Sequence, residues 1–193
     1  FVTLQSFIAL LDTSSRVQDM TPGDYAITSE TVGMTPESIA KIREHEMIEH
    51  LSTTKLSVYT QDENGEYLIE LGFALQSWET FQVAGLDDTR LSSYIDDLSE
   101  QDKSDLLSGA ACIVKNPIPF AYEGQTVEAT DFGYGDILSV NGYEVRVVGI
   151  ADFPVSINNE GFINGVQIIV NDKMYDLLTS NNHYSEIYPT LKQ

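Results

Sequence analysis

An Asn-Gly pair at residues 141–142 divides two β-like stretches, Ile137 to Val140 and Glu144 to Ile150. Asn-Gly supplies the positive φ angles that a two-residue hairpin turn requires, and few other pairs do so at low cost. The pair therefore fixes an antiparallel hairpin. A second Asn-Gly, in Asp62-Glu63-Asn64-Gly65, follows Lys55–Gln61 (KLSVYTQ), whose residues alternate as a half-buried strand does. The expectation there is another hairpin, with 66–75 as its returning strand.

Helix signals are sparser. Thr35-Pro36-Glu37 is a helix start: threonine caps free N–H groups, proline is pre-shaped for the first turn and glutamate suits the positive end of the dipole. Ile39, Ile42, Ile48 and Leu51 then supply an apolar face, which predicts one helix through residue 51. Asp24–Thr28 reads as a short strand behind Pro22-Gly23. A strand is expected over 79–84. Residues 89–108 are polar and helical in part, with Ser99 as a cap. ACIV at 111–114 is a buried strand, and Val127 to Thr130 reads as another. VQIIV at 166–170 is an apolar strand, Asn171-Asp172 opens a short helix at 173–178, and a last strand covers 184–188. The order is β-α-β early, all-β in the middle and β-α-β at the end. That is an α+β chain with a β-rich insertion.

Composition excludes some functions. Thirty acidic residues against ten basic ones give a net charge of -20, which argues against nucleic acid or an anionic membrane surface as partner. Hydrophobic residues make up 42% of the chain, enough for a sizeable core. The single cysteine, Cys112, lies in an apolar run and reads as a small buried residue.

HEMIEH at 45–50 comes close to the zinc-protease signature H-E-x-x-H. Zinc-binding histidines on one helix face stand three or four residues apart, whereas His45 and His50 are five apart, about 140° out of phase. On a helix only His45 with Glu49 and Glu46 with His50 share a face, and His183 is remote. The segment reads as a solvated helix face. Asp87-Asp88 and Asp96-Asp97 lack the D-x-[DN]-x-[DN]-G calcium loop. Gly133-Tyr134-Gly135 lacks a third glycine and precedes a strand, so it reads as a turn. There is no P-loop, G-x-S-x-G, C-x-x-C or dinucleotide fingerprint. Ten tyrosines and Trp78 are available to line a sugar- or peptide-binding surface, but half-buried strand positions account for them more simply. No catalytic, cofactor or metal residues are assigned, and the chain does not read as an enzyme.

The segment GDILSVNGYEVRVVGI, residues 135–150, resembles the G-D-x-I/L … G … V-V-G-I hairpin in the extracytoplasmic domain of MacB/FtsX-type ABC transporter permeases. Phe81–Asp87 (FQVAGLD) is similar to that family's V-x-G-v-d strand. Ser108-Gly109 before ACIV, and VQIIVND before Met174–Leu178 (MYDLL), are similar to further family segments, all in family order over about 20–180. The acidic stretch 96–105 and Asn116-Pro117-Ile118-Pro119 depart from the pattern and read as lineage-specific loops.

The resemblance implies a porter-like α/β subdomain, 20–80 with 160–193, interrupted by an inserted β-rich subdomain, 81–159. It also implies a non-catalytic role without cofactors at the extracytoplasmic face of the cell membrane, coupling ATP hydrolysis by a cytoplasmic subunit to an extracellular substrate or partner. The partners it implies are that ATP-binding subunit, a second permease subunit, and a cationic peptide or lipoprotein. The chain opens on Phe1 rather than methionine and is expected to be part of a longer protein. Residues 1–19 are expected to be helical. FVTLQSFIALL, 1–11, is too short to span a bilayer and reads either as the outer end of a membrane helix or as an amphipathic helix. The resemblance places Phe1 after one membrane helix and Gln193 before the next, so both ends must leave one pole. A different class of function, a free-standing extracellular binding module for carbohydrate or a cationic peptide, predicts an aromatic-lined concave face instead.

Overall fold

The computed structural model describes residues 23–29, 33–155 and 165–193. The expected helix at 1–19 lies outside these. Eight strands form one mixed sheet in the order β1-β10-β2-β3-β9-β4-β8-β7. They are β1 (Ile27–Thr28), β2 (Ile48–Tyr59), β3 (Thr80–Leu86), β4 (Ala111–Lys115), β7 (Ile137–Val140), β8 (Tyr143–Ile150), β9 (Gly165–Asn171) and β10 (Glu186–Leu191). Among the described residues two short strands, β5 (Phe120–Tyr122) and β6 (Gln125–Val127), pair only with each other. Strands from the early, middle and late thirds of the chain share the large sheet, and the α+β class holds.

Both faces of the sheet are covered, so its central strands are apolar on both sides. One face carries α1 (Pro36–Arg43) and α4 (Asp172–Thr179). Phe81, Val83, Val166, Ile168, Val170, Tyr175 and Leu178 form its main core, and Ile39, Leu51 and Ile187 a smaller one. The opposite face carries α2 (Asp88–Ser92) and α3 (Glu100–Ser108), with Ala84, Leu86, Leu91, Leu106, Ile113 and Ile169 between.

Each helix starts where its cap stands. Thr35, Asp87, Ser99 and Asn171 accept from the backbone N–H three residues on, satisfying donors that the first turn leaves open. Gly109, at φ 89°, ends α3 in the left-handed conformation that glycine reaches without strain. The turn at Asn141-Gly142 has φ 49° and 78°, as the pair requires. The Asn141 side chain also donates to Leu178 C=O (2.6 Å) and accepts from Glu70 N–H (3.0 Å), fastening the hairpin to the end of α4.

Three expectations need correction. The helix ends at Arg43, and Ile48 and Leu51 belong to β2. The HEMIEH segment is therefore a turn running into a strand, and helical phase does not describe it. Pairing with β10, Ile48 to Leu191 and His50 to Thr190, claims these residues. The Asp62–Gly65 turn forms, but 66–75 is not a strand. It touches the ladder at isolated bridges, Gln61 to Tyr67 and Leu71 to Val140, and packs Ile69 into the core. Finally, strand structure near 127 is confined to Gln125–Val127. Thr130 instead gives its N–H (2.7 Å) and hydroxyl (2.6 Å) to the buried Glu79 carboxylate.

Candidate functional site at the β10 clasp

β10 is wedged between β1 and β2, antiparallel to both. Its last residue, Leu191, thus lies beside the segment that leads into β1. Asp24 N–H donates to Pro189 C=O (3.0 Å), and Leu191 N–H donates to the Asp24 carboxylate (2.8 Å). Lys192 N–H reaches Met47 C=O (3.0 Å). Gly23 lies so close to Tyr188 that an added Cβ would stand 2.9 Å from its carbonyl atoms. The path into the fold and the path out of it are clasped at one end of the sheet.

An open cleft of about 360 Å³ adjoins this pole, lined by Arg43, Ile48, Glu49, His50, Leu51, Asp87, Asp88 and Thr89. Asp87 is spent on structure: its carboxylate accepts from Thr53 N–H and from Arg90 N–H (2.9 Å) at the start of α2. Among the described residues no aromatic side chain lines this cleft.

Two buried cations sit on opposite faces of β2. On the α4 side Lys55, 3% exposed, pairs with Asp176 (2.6 Å), stands 3.9 Å from Asp172 and lies over the Tyr184 ring at 4.7 Å. Asp172 Oδ1 is buried without a hydrogen bond. Burial pushes the Asp172 carboxyl up to about 6; Lys55 opposes that rise, while Asp87 and Asp176 add to it. On the α2 side the Arg90 guanidinium donates to Thr54 Oγ1 and lies over the Tyr188 ring at 4.7 Å. The Tyr188 hydroxyl donates to the Glu186 carboxylate, and burial raises the Tyr188 pKa. A buried ion pair adds little net stability, but removing one partner leaves a buried charge exposed to a large penalty. The Lys55 pair fixes where α4 stands relative to β2, and the Arg90 contacts with Thr54 and Tyr188 fix where α2 stands relative to β2 and β10, the strand that ends at the clasp.

The sequence candidates do not converge on a reaction centre. His45 Nδ1 accepts from Met47 N–H (3.3 Å), His50 Nε2 pairs with Ser52 Oγ (3.1 Å), and His183 is held by Asn181. Among the described residues no group of three or more His, Cys, Asp or Glu is arranged to hold a metal ion. Cys112 is buried in the core, and desolvation pushes its thiol up to about 12, far from the reactive thiolate range. Asp87 and Asp88 border the cleft. Gly133–Gly135 is a turn, with Gly133 N–H donating to the Asp136 carboxylate (2.8 Å). Sequence reasoning missed Lys55 with Asp172 and Asp176, and Asp24 with Leu191. Each set joins residues more than a hundred positions apart, and only the ladder brings them together.

Neither a family model nor a curated protein matches the chain. Among the solved structures similar to it are two transporter domains. One is the extracellular domain of the noncanonic ABC-type transporter YknZ from Gram-positive bacteria, at 18% identity and TM-score 0.46, covering 90% of this chain and 81% of that one. The other is the periplasmic region of MacB from Actinobacillus actinomycetemcomitans, at 8% identity and TM-score 0.47, covering 87% of this chain and 73% of that one.

Proposed function

We infer that this chain is the extracytoplasmic domain of an ABC transporter permease subunit, without chemistry of its own. It passes motion driven by a cytoplasmic ATP-binding subunit to an extracellular substrate or partner. The observation that carries this reading is the clasp of Asp24 to Pro189 and Leu191, which brings both chain paths to one pole. A domain planted on a membrane by two helices must have such a pole. The ordered motifs at 81–87, 108–114, 135–150 and 166–178 add support, because they follow the family's order and build β3, β4, the β7–β8 hairpin and β9 with α4 of one sheet.

The ladder supplies a mechanical route. A displacement at the clasp acts first on β10, then on β2 through six paired positions, and reaches α2 and α4 through Arg90 and Lys55. Interiors packed at crystal-like density transmit such displacements rather than absorb them.

The test is the distance between spin labels at Asp12 and Leu191. Neighbouring membrane helices run about 10 Å apart, so labels on their outer ends are expected within a few such spacings. A separation along the long axis of the molecule would refute the reading and favour a free-standing module.

A further inference from the structure

We propose that the β5–β6 hairpin and the loops beneath it form a docking surface for a basic, extended segment of a partner protein. β5 and β6 pair only with each other, so among the described residues both outer edges of the hairpin keep unpaired backbone donors and acceptors. A lone two-stranded hairpin is marginal in water, and open edges invite a further strand. The turn at Glu123-Gly124, with φ 49° and 79°, holds the two strands tightly together.

The apolar side of the hairpin is only partly covered, by Trp78 against Phe120. Phe120 and Tyr122 share one face by strand alternation, and they are 40% and 64% exposed; Ile118, just before β5, is 50% exposed. Three large apolar side chains this close together are not the scattered exposure of an ordinary surface. The hairpin is nevertheless set firmly. Phe120 stacks edge-on against Trp78 at 5.0 Å, Phe132 against Phe73 at 5.2 Å, and Asn116 holds Phe132 N–H at 3.0 Å. Binding would therefore cost little ordering of the hairpin itself.

Charge selects the occupant. No lysine, arginine or histidine occurs between residues 56 and 89 or between 116 and 145. These are the segments that the Trp78–Phe120, Phe73–Phe132 and Glu79–Thr130 contacts bring together. Asp62, Glu63, Glu66, Glu70, Glu123, Glu128 and Asp131 are all exposed on them. Such a surface repels a second copy of this chain, whose net charge is -20, and attracts a basic segment. A strand alternating cationic and apolar residues fits it: backbone pairs along an open edge, apolar side chains on Phe120 and Tyr122, and cations over Tyr122 or beside Glu123 and Glu128. This surface stands whether or not the permease reading does.

Trp78, the only tryptophan, reports on the site from beneath Phe120. The experiment titrates the full chain with a short peptide alternating lysine and valine and follows Trp78 emission. Saturable binding is expected. Tyr122→Ser, at a position too exposed to threaten folding, is expected to weaken it at least about tenfold. The Glu123→Gln/Glu128→Gln pair is expected to weaken it and flatten its salt dependence. Three results would overturn the proposal: no binding; equal binding of a peptide with the same composition in blocked order, which needs no strand; or self-association of the chain that Tyr122→Ser abolishes, which would make a second copy the occupant.

Discussion

Gly85 is the next-to-last residue of β3, paired with Lys55 on one side and Val170 on the other. A Cβ built on it would stand 2.5 Å from Tyr175 Cβ and 2.7 Å from its Cγ, inside any real contact. Neither side can give way. The strand is held by ladders on both edges, and Tyr175 is fully buried with its hydroxyl on Ser57 Oγ at 2.6 Å. Overpacking a rigid core costs about 1–3 kcal/mol, and these contacts put Gly85→Ala at the upper end, about 3 kcal/mol. At about 2–4 °C per kcal/mol for a chain of this size, the melting temperature falls by roughly 6–12 °C. Gly149 in β8 supplies the control. A Cβ there would meet Ile113 Cγ1 at 3.4 Å, an ordinary contact, at a φ that any residue adopts. Glycine inside a strand costs about 0.5–1 kcal/mol relative to alanine, so Gly149→Ala is expected to be neutral or stabilising by that amount. Both variants are measured by urea unfolding followed by circular dichroism. The reasoning fails if Gly85→Ala lies within about 0.5 kcal/mol of the parent, or if both variants cost the same.

Two further predictions concern single side chains. Asp172 titrates near 6 in the fold against 3.8 when free, so the native state holds its proton more tightly. Stability from this group therefore declines as pH rises from about 4 to about 6 and stays flat above. Asp172→Asn is expected to remove that slope and, with the shift discounted for partial exposure, to gain about 1–2 kcal/mol at neutral pH; an unchanged pH profile of urea unfolding counts against it. Asn141→Ala loses the bonds to Leu178 C=O and Glu70 N–H and puts alanine at φ 49°. It is expected to cost about 2–3 kcal/mol, with Asn141→Gly roughly 1 kcal/mol milder because the angle is then free; equal losses in thermal melts would show that backbone strain plays no part.

Local chemistry made much of this architecture legible. Thr35, Ser99 and Asn171 announce helices because a cap needs only its own first turn. Asn141-Gly142 announces a hairpin because the constraint is the dihedral angle itself. Ile39, Ile42, Ile48 and Leu51 misled because a 3.6-residue period fits them, while the partner that makes 48–51 a strand is β10, some 140 residues away. Residues 66–75 have strand composition, yet docking on β7 bends them: Gly72 N–H donates to Ser139 C=O, and an added Cβ on Gly72 would stand 2.7 Å from Ser139 Cβ. The hairpin at 120–127 hid behind Glu123-Gly124, a weaker turn signal than Asn-Gly. The clasp and the Lys55 cluster gave no local signal at all, being products of strand order.

That strand order also sets a timetable for synthesis. β9 separates β3 from β4, and β10 separates β1 from β2. Neither gap is filled until residues 165–191 have been made, so most of the chain must leave the ribosome before the sheet can close. At roughly 5–20 residues per second, β3 waits several seconds for β9 with the backbone donors and acceptors of one edge unpaired. Its pairing with β9 spans about 85 residues, a long loop to close, which places this chain among slow folders. During that interval the exposed edges of β2, β3 and β4 are open to any factor that binds nascent strands.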